Sequence, residues 1–194
     1  MPAYSFLRAL VVGLLCLLYR VRVSGQENIP SSGGVILCAN HIHMFDPVLM
    51  MIGTPRQVQF MAKAEVFSWP IIGYLARLAG AFPVKRGEAD IRAVKHSLLL
   101  LRGGGVLGIF PEGTRGKAGE AKAPFQGVTM LAERTQSLIV PAAITGNYKL
   151  RHPLTIVFGQ PVSVRSLCKE GEYDRGIATA RLMEIISELK ETCP

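Results

Sequence analysis

The sequence is poor in charged side chains, and acidic ones are the scarcest. Of its 194 residues 19% are charged, and 14 Asp and Glu stand against 22 Lys and Arg, a formal net charge of +8. An average globular chain carries about 25% charged residues. Because 49% of the residues are hydrophobic, a disordered chain is excluded. Apolar surface combined with positive charge favours an anionic membrane or a phosphorylated small molecule as partner.

Aromatic residues and cysteines are also few, and their placement excludes further classes. Aromatics make up 7% of the chain with a single Trp, and no stripe interleaves them with Lys or Arg, which argues against a nucleic-acid binder. The four cysteines form no C-x-x-C pair and no repeated spacing (Cys16, Cys38, Cys168 and Cys193). Neither a zinc finger nor a disulfide framework is therefore indicated, and we expect reduced thiols in a protein facing the cytoplasm.

No hydrophobic run is long enough to cross a bilayer. The segment 9–19 has eleven uncharged residues between Arg8 and Arg20, a helical rise of about 17 Å against a hydrocarbon core of roughly 30 Å. A secretory signal is disfavoured because no small-x-small cleavage site follows and Arg20 and Arg22 lie on the wrong side. We interpret residues 2–19 as an interfacial or half-inserted helix, with Arg20 and Arg22 meeting anionic headgroups. A helix buried in the core is the alternative.

The remainder of the chain alternates short apolar runs with helical periods. Four segments have strand length and composition: 35–39, 106–110, 138–140 and 154–158. Helical stripes run through Ile91, Val94, Leu98 and Leu101, and from Ala178 to Leu189. This order predicts one α/β domain with a mixed, largely parallel sheet flanked by helices. We divide the chain into an N-terminal membrane-associating helix, residues 1–20, and one folded domain, residues 21–194.

The first group of chemically capable residues follows the 35–39 strand. Asp46-Pro47 is a typical helix start, and His41 precedes it in a loop. Residues five apart on a continuous helix point about 140° away from each other, so the two side chains meet only if residues 40–45 curl back. The Asp46 carboxylate can then accept the ring N–H of His41, and the other ring nitrogen can act as a general base. Asp46 acting only as a helix cap is the simpler alternative.

A metal site is the other alternative for this segment. His41 and His43 form an H-x-H pair, which occurs in zinc sites. The metallo-hydrolase pattern H-x-H-x-D-H would place the Asp two residues after the second His, whereas Asp46 comes three after it and Pro47 follows. With only two other histidines in the chain, we predict no metal site.

A second group combines cations with predicted strand ends. The segment Phe110-Pro111-Glu112-Gly113-Thr114-Arg115 follows the 106–110 strand. Gly113 permits a tight backbone path, the Arg115 fork suits a phosphate, and Glu112 can orient a hydroxyl or a neighbouring Arg. Lys63, in Ala-Lys-Ala-Glu, and Arg86, in Gly-Ala-Phe-Pro-Val-Lys-Arg, also lie near strand ends, where α/β folds gather ligands.

These blocks resemble, in order, the four motifs of a known family. His41…Asp46, residues 80–86, residues 110–115 and Ile139-Val140-Pro141-Ala142 are similar to the motifs of the lysophosphatidic acid (1-acylglycerol-3-phosphate) acyltransferases. The resemblance covers residues 35–145. It implies that His41 is the general base, oriented by Asp46, and that Lys63, Arg86, Glu112, Gly113, Thr114 and Arg115 form the site for the acceptor phosphate.

The resemblance also implies the reaction and its partners. A fatty acyl group would pass from an acyl carrier protein or coenzyme A thioester to the sn-2 hydroxyl of 1-acylglycerol-3-phosphate, giving phosphatidic acid for phospholipid biosynthesis. We expect no cofactor beyond the thioester co-substrate, and we expect peripheral or monotopic attachment to the cytoplasmic face of the cell membrane. Acylation of glycerol-3-phosphate or another lyso-lipid, or a catalytically silent lipid-binding module, are the alternatives.

Overall fold

The polypeptide builds a seven-stranded sheet with helices on both faces. A computed structural model of the protein describes residues 2–84, 90–111, 126–168 and 173–193. Within these ranges the strands are β1 Arg20–Ser24, β2 Val35–Ala39, β3 Val58–Lys63, β4 Phe82–Val84, β5 Val106–Ile109, β6 Leu138–Gly146 and β7 Pro153–Phe158. The α-helices are α1 Pro2–Leu18, α2 Asp46–Ile52, α3 Pro70–Leu78, α4 Ile91–Arg102, α5 Gly127–Thr135 and α6 Arg175–Glu191.

The strand order is β1-β7-β6-β2-β5-β3-β4. Each neighbouring pair is parallel except β6 with β7, which is antiparallel. The central strands β2 and β5 are buried along their whole length, as their continuous apolar sequences require when both sheet faces are covered. The predicted α/β class with a mixed, largely parallel sheet is confirmed.

Two apolar clusters lie on opposite faces of this sheet. One is formed mainly by alternate residues of the strands, together with α2 and the inward side of α1. The other lies beneath α4, α5 and α6. The predicted C-terminal stripe is confirmed because Ala178, Leu182 and Ile186 of α6 are buried. The predicted stripe on α4 is wrong for Ile91, which is exposed at the first turn, directly after the capping carboxylate of Asp90.

The N-terminal helix is followed directly by a strand, and the change of structure matches a change in the spacing of apolar residues. α1 ends at Leu18, and Arg20 is the first residue of β1. The Arg-Val alternation from Arg20 to Val23 has the two-residue period of a half-buried edge strand, with the arginines outward and the valines inward. In the part of the chain that the structure describes, no helix is both long and apolar enough to cross a bilayer.

Strand β6 continues through Pro141, beyond the predicted end at Val140. The carbonyl of Pro141 accepts from the N–H of Gly159, just past the end of β7. The missing N–H of Pro141 points to the same side, because both backbone groups of a strand residue share one direction. Proline therefore removes no hydrogen bond from the pairing with β2 on the other side of β6, which explains why the strand continues to Gly146.

Candidate active site

The carboxyl ends of five parallel strands meet at one edge of the sheet. Strands β6, β2, β5, β3 and β4 all run in the same direction, so the segments that leave them lie side by side. The loop 40–45 leaves β2, and Phe110 leaves β5, its neighbour. Open α/β sheets bind their ligands at this edge.

Asn40 fixes the point where the loop leaves the sheet. Its buried side-chain amide donates to the carbonyl of Ile144 in β6 at 2.9 Å and accepts from the N–H of the same residue at 2.7 Å. The side chain thus continues the β2–β6 pairing after the backbone has turned away. An unsatisfied buried group costs about 1–3 kcal/mol, so this pair of bonds holds the start of the loop firmly.

The loop brings His41 and Asp46 together. The Asp46 side chain is fully buried, and its Oδ2 lies 2.7 Å from His41 Nδ1. The same oxygen accepts the backbone N–H groups of Ile42 at 2.6 Å and His43 at 2.7 Å. No side-chain hydrogen bond caps α2, so the carboxylate points back into the loop. This is the curled arrangement that the spacing of the two residues requires if they are to interact.

The hydrogen-bond pattern assigns the proton on the His41 ring. Because the Asp46 carboxylate only accepts, Nδ1 of a neutral ring carries the hydrogen and Nε2 keeps its lone pair. The side chain of His41 is 15% exposed. An imidazole held in this tautomer, with a carboxylate behind it, is able to take a proton at Nε2 and to be stabilised as imidazolium.

The second oxygen of Asp46 accepts from a tyrosine that the sequence does not single out. The hydroxyl of Tyr148 donates to Asp46 Oδ1 at 2.6 Å. Burial and the hydrogen bond to Asp46 raise the pKa of Tyr148 far above its usual range, so this phenol stays protonated. Tyr148 is 102 residues from Asp46 in the chain and belongs to no recognisable motif. Its one sequence signal is its position directly after a strand that ends at the same sheet edge.

Aromatic rings support the other side of His41. The ring of Phe110 stacks on that of His41 at 4.3 Å between centroids and 21° between planes. Phe60 lies behind Phe110 at 6.1 Å and 12°. Gly108 makes this possible, because a Cβ there would overlap the Phe60 ring. The general-base candidate is therefore held between a buried carboxylate and an apolar wall.

The predicted phosphate-site residues are described only in part. Lys63 is the last residue of β3, two strands from β2 and thus ~10 Å away across the sheet. Its side chain is 52% exposed, and its ammonium pairs with Glu65 at 3.0 Å. Arg86, Glu112, Gly113, Thr114 and Arg115 lie outside the described residues. Within the described ranges, no three His, Cys, Asp or Glu side chains are grouped as metal ligands would be.

Comparison with known families and curated proteins finds matches along most of the chain. The family model described as Acyltransferase matches residues 20–145, more than half of the chain. A 1-acyl-sn-glycerol-3-phosphate acyltransferase of Bacillus subtilis (strain 168) is 32% identical over 144 residues, 74% of this chain and 71% of that protein. A protein of the same description from Streptococcus pneumoniae is 32% identical over 185 residues, 91% of this chain and 68% of that protein.

A different lipid acceptor appears in the description of another relative. A lyso-ornithine lipid O-acyltransferase of Pseudomonas aeruginosa is 36% identical over 130 residues, which are 66% of this chain and 48% of that protein. Among solved structures, the crystal structure of the 1-acyl-sn-glycerophosphate (LPA) acyltransferase PlsC from Thermotoga maritima has a TM-score of 0.71. It is 23% identical and is aligned over 96% of this chain and 79% of that one, which is a likeness of fold.

Proposed function

Because the chain belongs to the acyltransferase family, we propose that it acylates the sn-2 hydroxyl of 1-acylglycerol-3-phosphate and so makes phosphatidic acid. The donor in this proposal is a fatty acyl thioester of acyl carrier protein or coenzyme A. The observation that carries the proposal is the hydrogen bond of 2.7 Å between His41 and the buried Asp46. Relatives described as 1-acyl-sn-glycerol-3-phosphate acyltransferases support the choice of acceptor.

The proposed reaction needs one base and one anchor. Nε2 of His41 takes the proton of the acceptor hydroxyl as its oxygen attacks the thioester carbonyl. Asp46 stabilises the imidazolium that forms. When the tetrahedral intermediate collapses, the carbon–sulfur bond breaks and the imidazolium returns its proton to the leaving thiolate. The products are an ester and a free thiol, and a thioester is activated enough that the step requires no cofactor.

The anchor in this proposal is the phosphate of the acceptor. Arg86 and Arg115 follow β4 and β5 in the sequence, and Lys63 ends β3. These strands all end at the edge that holds His41. The ion pair of Lys63 with Glu65 is solvent-exposed and so contributes about 0–1 kcal/mol, which leaves the ammonium free to exchange Glu65 for a phosphate. A bound phosphate fixes the position of the acceptor hydroxyl relative to His41 and the thioester. The reaction then avoids most of the entropy cost of bringing the two substrates together.

The test is an acyl-transfer assay on the purified full chain. Lysophosphatidate in mixed micelles is offered with acyl-CoA and, separately, with acyl carrier protein thioester, and products are identified by mass spectrometry. Release of the transferred chain by an sn-2-specific phospholipase checks the position. His41→Ala should lower kcat about 10²–10⁴-fold, the usual contribution of a general base.

His152→Ala is the matched control because its side chain is exposed in the turn before β7. It should leave the rate unchanged. Product formation by His41→Ala at more than about a tenth of the wild-type rate would refute the assigned base. If wild-type protein forms no phosphatidic acid with either donor, the proposal that lysophosphatidate is the acceptor is refuted.

A second acceptor is favoured by one specific similarity. The Pseudomonas aeruginosa relative is described as acting on a lyso-ornithine lipid. Lyso-ornithine lipid should therefore be assayed beside lysophosphatidate and glycerol-3-phosphate under the same conditions. A higher kcat/KM for lyso-ornithine lipid would move the proposal to that acceptor and would leave the roles of His41 and Asp46 unchanged.

We also propose that the protein works attached to the membrane surface. The outward side of α1 exposes leucines at helical spacing (Leu10, Leu14 and Leu17). The adjoining α3 and its preceding turn expose large apolar side chains as well (Trp69, Ile71, Ile72, Tyr74 and Leu75). Loop residues beside His41 do the same (Ile42, Met44 and Phe45). Large apolar groups exposed together are typical of a membrane contact.

Surface substitutions test this attachment without disturbing the core. Replacing Leu10, Leu14 and Leu17 by Ser should release protein from anionic vesicles in a sedimentation assay and should leave the melting temperature near that of the wild type. High salt should release the intact protein only partly, because screening weakens the charge attraction and not the apolar one. Vesicle binding of the triple variant equal to that of the wild type would refute the proposal.

A further inference from the structure

The buried side of Asp46 carries a contact that the proposed reaction does not yet use. Oδ2 is occupied by His41 and by two backbone N–H groups, whereas Oδ1 accepts the hydroxyl of Tyr148 at 2.6 Å. A hydrogen bond of this kind to a charged acceptor is among the strong ones in proteins. Both oxygens of the carboxylate are therefore held, and its plane cannot rotate freely about the side-chain bond.

The direction of the Tyr148 hydrogen bond is fixed by chemistry. The phenol is partly buried, and burial together with the neighbouring carboxylate raises the pKa of Tyr148. It therefore donates its hydrogen to Asp46 at every pH at which the enzyme is folded and active. A group that only donates, from one fixed side, locks the rotation of the carboxylate instead of exchanging protons with it.

The ring of Tyr148 is itself held by its neighbours. It stacks on His43 at 4.1 Å between centroids and 20° between planes, and its edge meets Tyr19 at 5.6 Å and 75°. His43, the second histidine of the H-x-H pair, contributes its ring as a packing surface for Tyr148. Tyr19 links the end of α1 to the start of β1. Two segments far from Tyr148 in the sequence thus hold its phenol against the Asp46 carboxylate.

We propose that Tyr148 is a positioning residue that holds the Asp46 carboxylate in the plane of the His41 ring. This proposal rests on the proposed role of His41 as base, since Tyr148 acts only through Asp46. Loss of the hydroxyl frees Oδ1 and lets the carboxylate turn away from His41 Nδ1. The remaining fraction of correctly oriented pairs then limits the rate of the chemical step, while both substrates still bind.

The test is Tyr148→Phe, with Tyr173→Phe as the matched control. Both changes remove one phenol hydroxyl, and Tyr173 lies in the segment before α6 on the other cluster's side of the fold. Tyr148→Phe should lower kcat about 10-fold, a change in transition-state free energy of about 1.4 kcal/mol. Both KM values should stay within about two-fold. Because a carboxylate that has turned away from His41 stabilises the imidazolium less, the acidic limb of the pH–rate profile should move to lower pH.

A double-mutant cycle shows whether the effect passes through Asp46. In an Asp46→Asn background, adding Tyr148→Phe should lower kcat by less than about two-fold, because the charge whose orientation matters is already gone. A ten-fold loss in both backgrounds would overturn the proposal. So would a Tyr148→Phe protein whose acceptor KM rises while its kcat is unchanged, because that result would place Tyr148 on the substrate.

An NMR measurement tests the proposal without any assumption about the identity of the acceptor. The proton on His41 Nδ1, observed by NMR in histidine-labelled protein, should shift and broaden in Tyr148→Phe and not in Tyr173→Phe. An unchanged resonance in Tyr148→Phe would overturn the proposal even if the assay substrates were wrong. Absence of phosphatidic acid from wild-type protein would instead refute the proposed function alone. Should Tyr148→Phe not fold, Tyr148→Met, which also lacks the hydroxyl, takes its place. An unchanged resonance and kcat in Tyr148→Met would overturn the proposal equally.

Discussion

Replacing Asp46 by Asn isolates the charge of the carboxylate from its hydrogen bonds. The amide can enter this site in one orientation only, because the backbone N–H groups of Ile42 and His43 both point at Oδ2 and would repel an NH₂ group there. The amide oxygen therefore takes the Oδ2 position and still accepts from His41. The NH₂ group faces Tyr148, whose hydroxyl can rotate to accept. The fold and the His41 tautomer should both survive.

The magnitude follows from the charge that is lost. A carboxylate and an imidazolium about 4 Å apart attract by about 4 kcal/mol at the effective dielectric typical of protein sites. Removing one charge should thus lower kcat by up to about 10³-fold, since each 1.36 kcal/mol is a factor of ten. The loss should not exceed that of His41→Ala. The acidic limb of the pH–rate profile should move to lower pH, because a neutral partner stabilises imidazolium less.

Initial rates with saturating thioester donor, measured from pH 5 to pH 9, provide the assay. Circular dichroism and thermal unfolding of the same samples provide the control for folding. A kcat within about three-fold of wild type would refute the reasoning, because it would reduce Asp46 to an acceptor that merely shapes the loop. An acidic limb that moved to higher pH would refute the assignment of its charge to the imidazolium.

Substitutions at three further positions test other parts of the site. Arg115→Ala should raise the acceptor KM about 10-fold or more with a smaller change in kcat, and Arg115→Lys should rescue it only in part because Lys cannot make a bidentate contact; a raised donor KM alone would move Arg115 to the thioester. Gly108→Ala places a methyl group against the Phe60 ring and should lower the free energy of unfolding by about 1–3 kcal/mol, whereas unchanged thermal unfolding would show that the ring has room to move. Above about pH 10 an unfolded Tyr148 ionises while the folded one, with its raised pKa, stays neutral, so wild-type stability should fall by up to about 1.4 kcal/mol per pH unit from this group. Urea unfolding should show a shallower alkaline decline for Tyr148→Phe, and equal slopes would contradict this.

The sequence predicts the layers of the fold well because burial leaves a strong pattern. The runs at Val35 and Val106 are apolar throughout and become the two fully buried central strands. The pairing partner and the direction of each strand leave a weaker pattern in the sequence. Nothing in the composition of β7 indicates that it runs antiparallel to β6, because the direction of β7 is decided by the short turn that connects the two strands.

Some contacts of the candidate site are between residues close in the sequence, and others are between residues far apart. The contact of His41 with Asp46 is local, since five residues and a Pro after the Asp limit how the loop can fold. Tyr148 and Phe110 reach the same point from β6 and β5. Their contributions depend on strand order, and no spacing within one motif contains that order. The sequence therefore does not indicate the aromatic character of the site, although Phe110 ends the predicted strand 106–110.

The environment of Arg8 cannot be predicted from the apolar sequence around it. By length alone the first helix cannot span a bilayer, and Arg8 can be read as a charge reaching toward headgroups. In the structure its guanidinium donates to the carbonyls of Met51, Ile52 and Thr54 at 2.7 to 3.3 Å. These carbonyls lie at the carboxyl end of α2 and just beyond it, and Asp46 is the first residue of that helix.

The two sides of α1 therefore serve different purposes. Tyr4 and Leu15 are buried against the core, and Arg8 holds the end of the helix that begins with Asp46. The outward leucines face away from all of these contacts. Deleting the whole helix would remove the support of α2 together with any membrane contact, so lost activity on vesicles would not separate the two. Serine substitutions restricted to Leu10, Leu14 and Leu17 do separate them, because they change the outward surface and leave every contact to α2 in place.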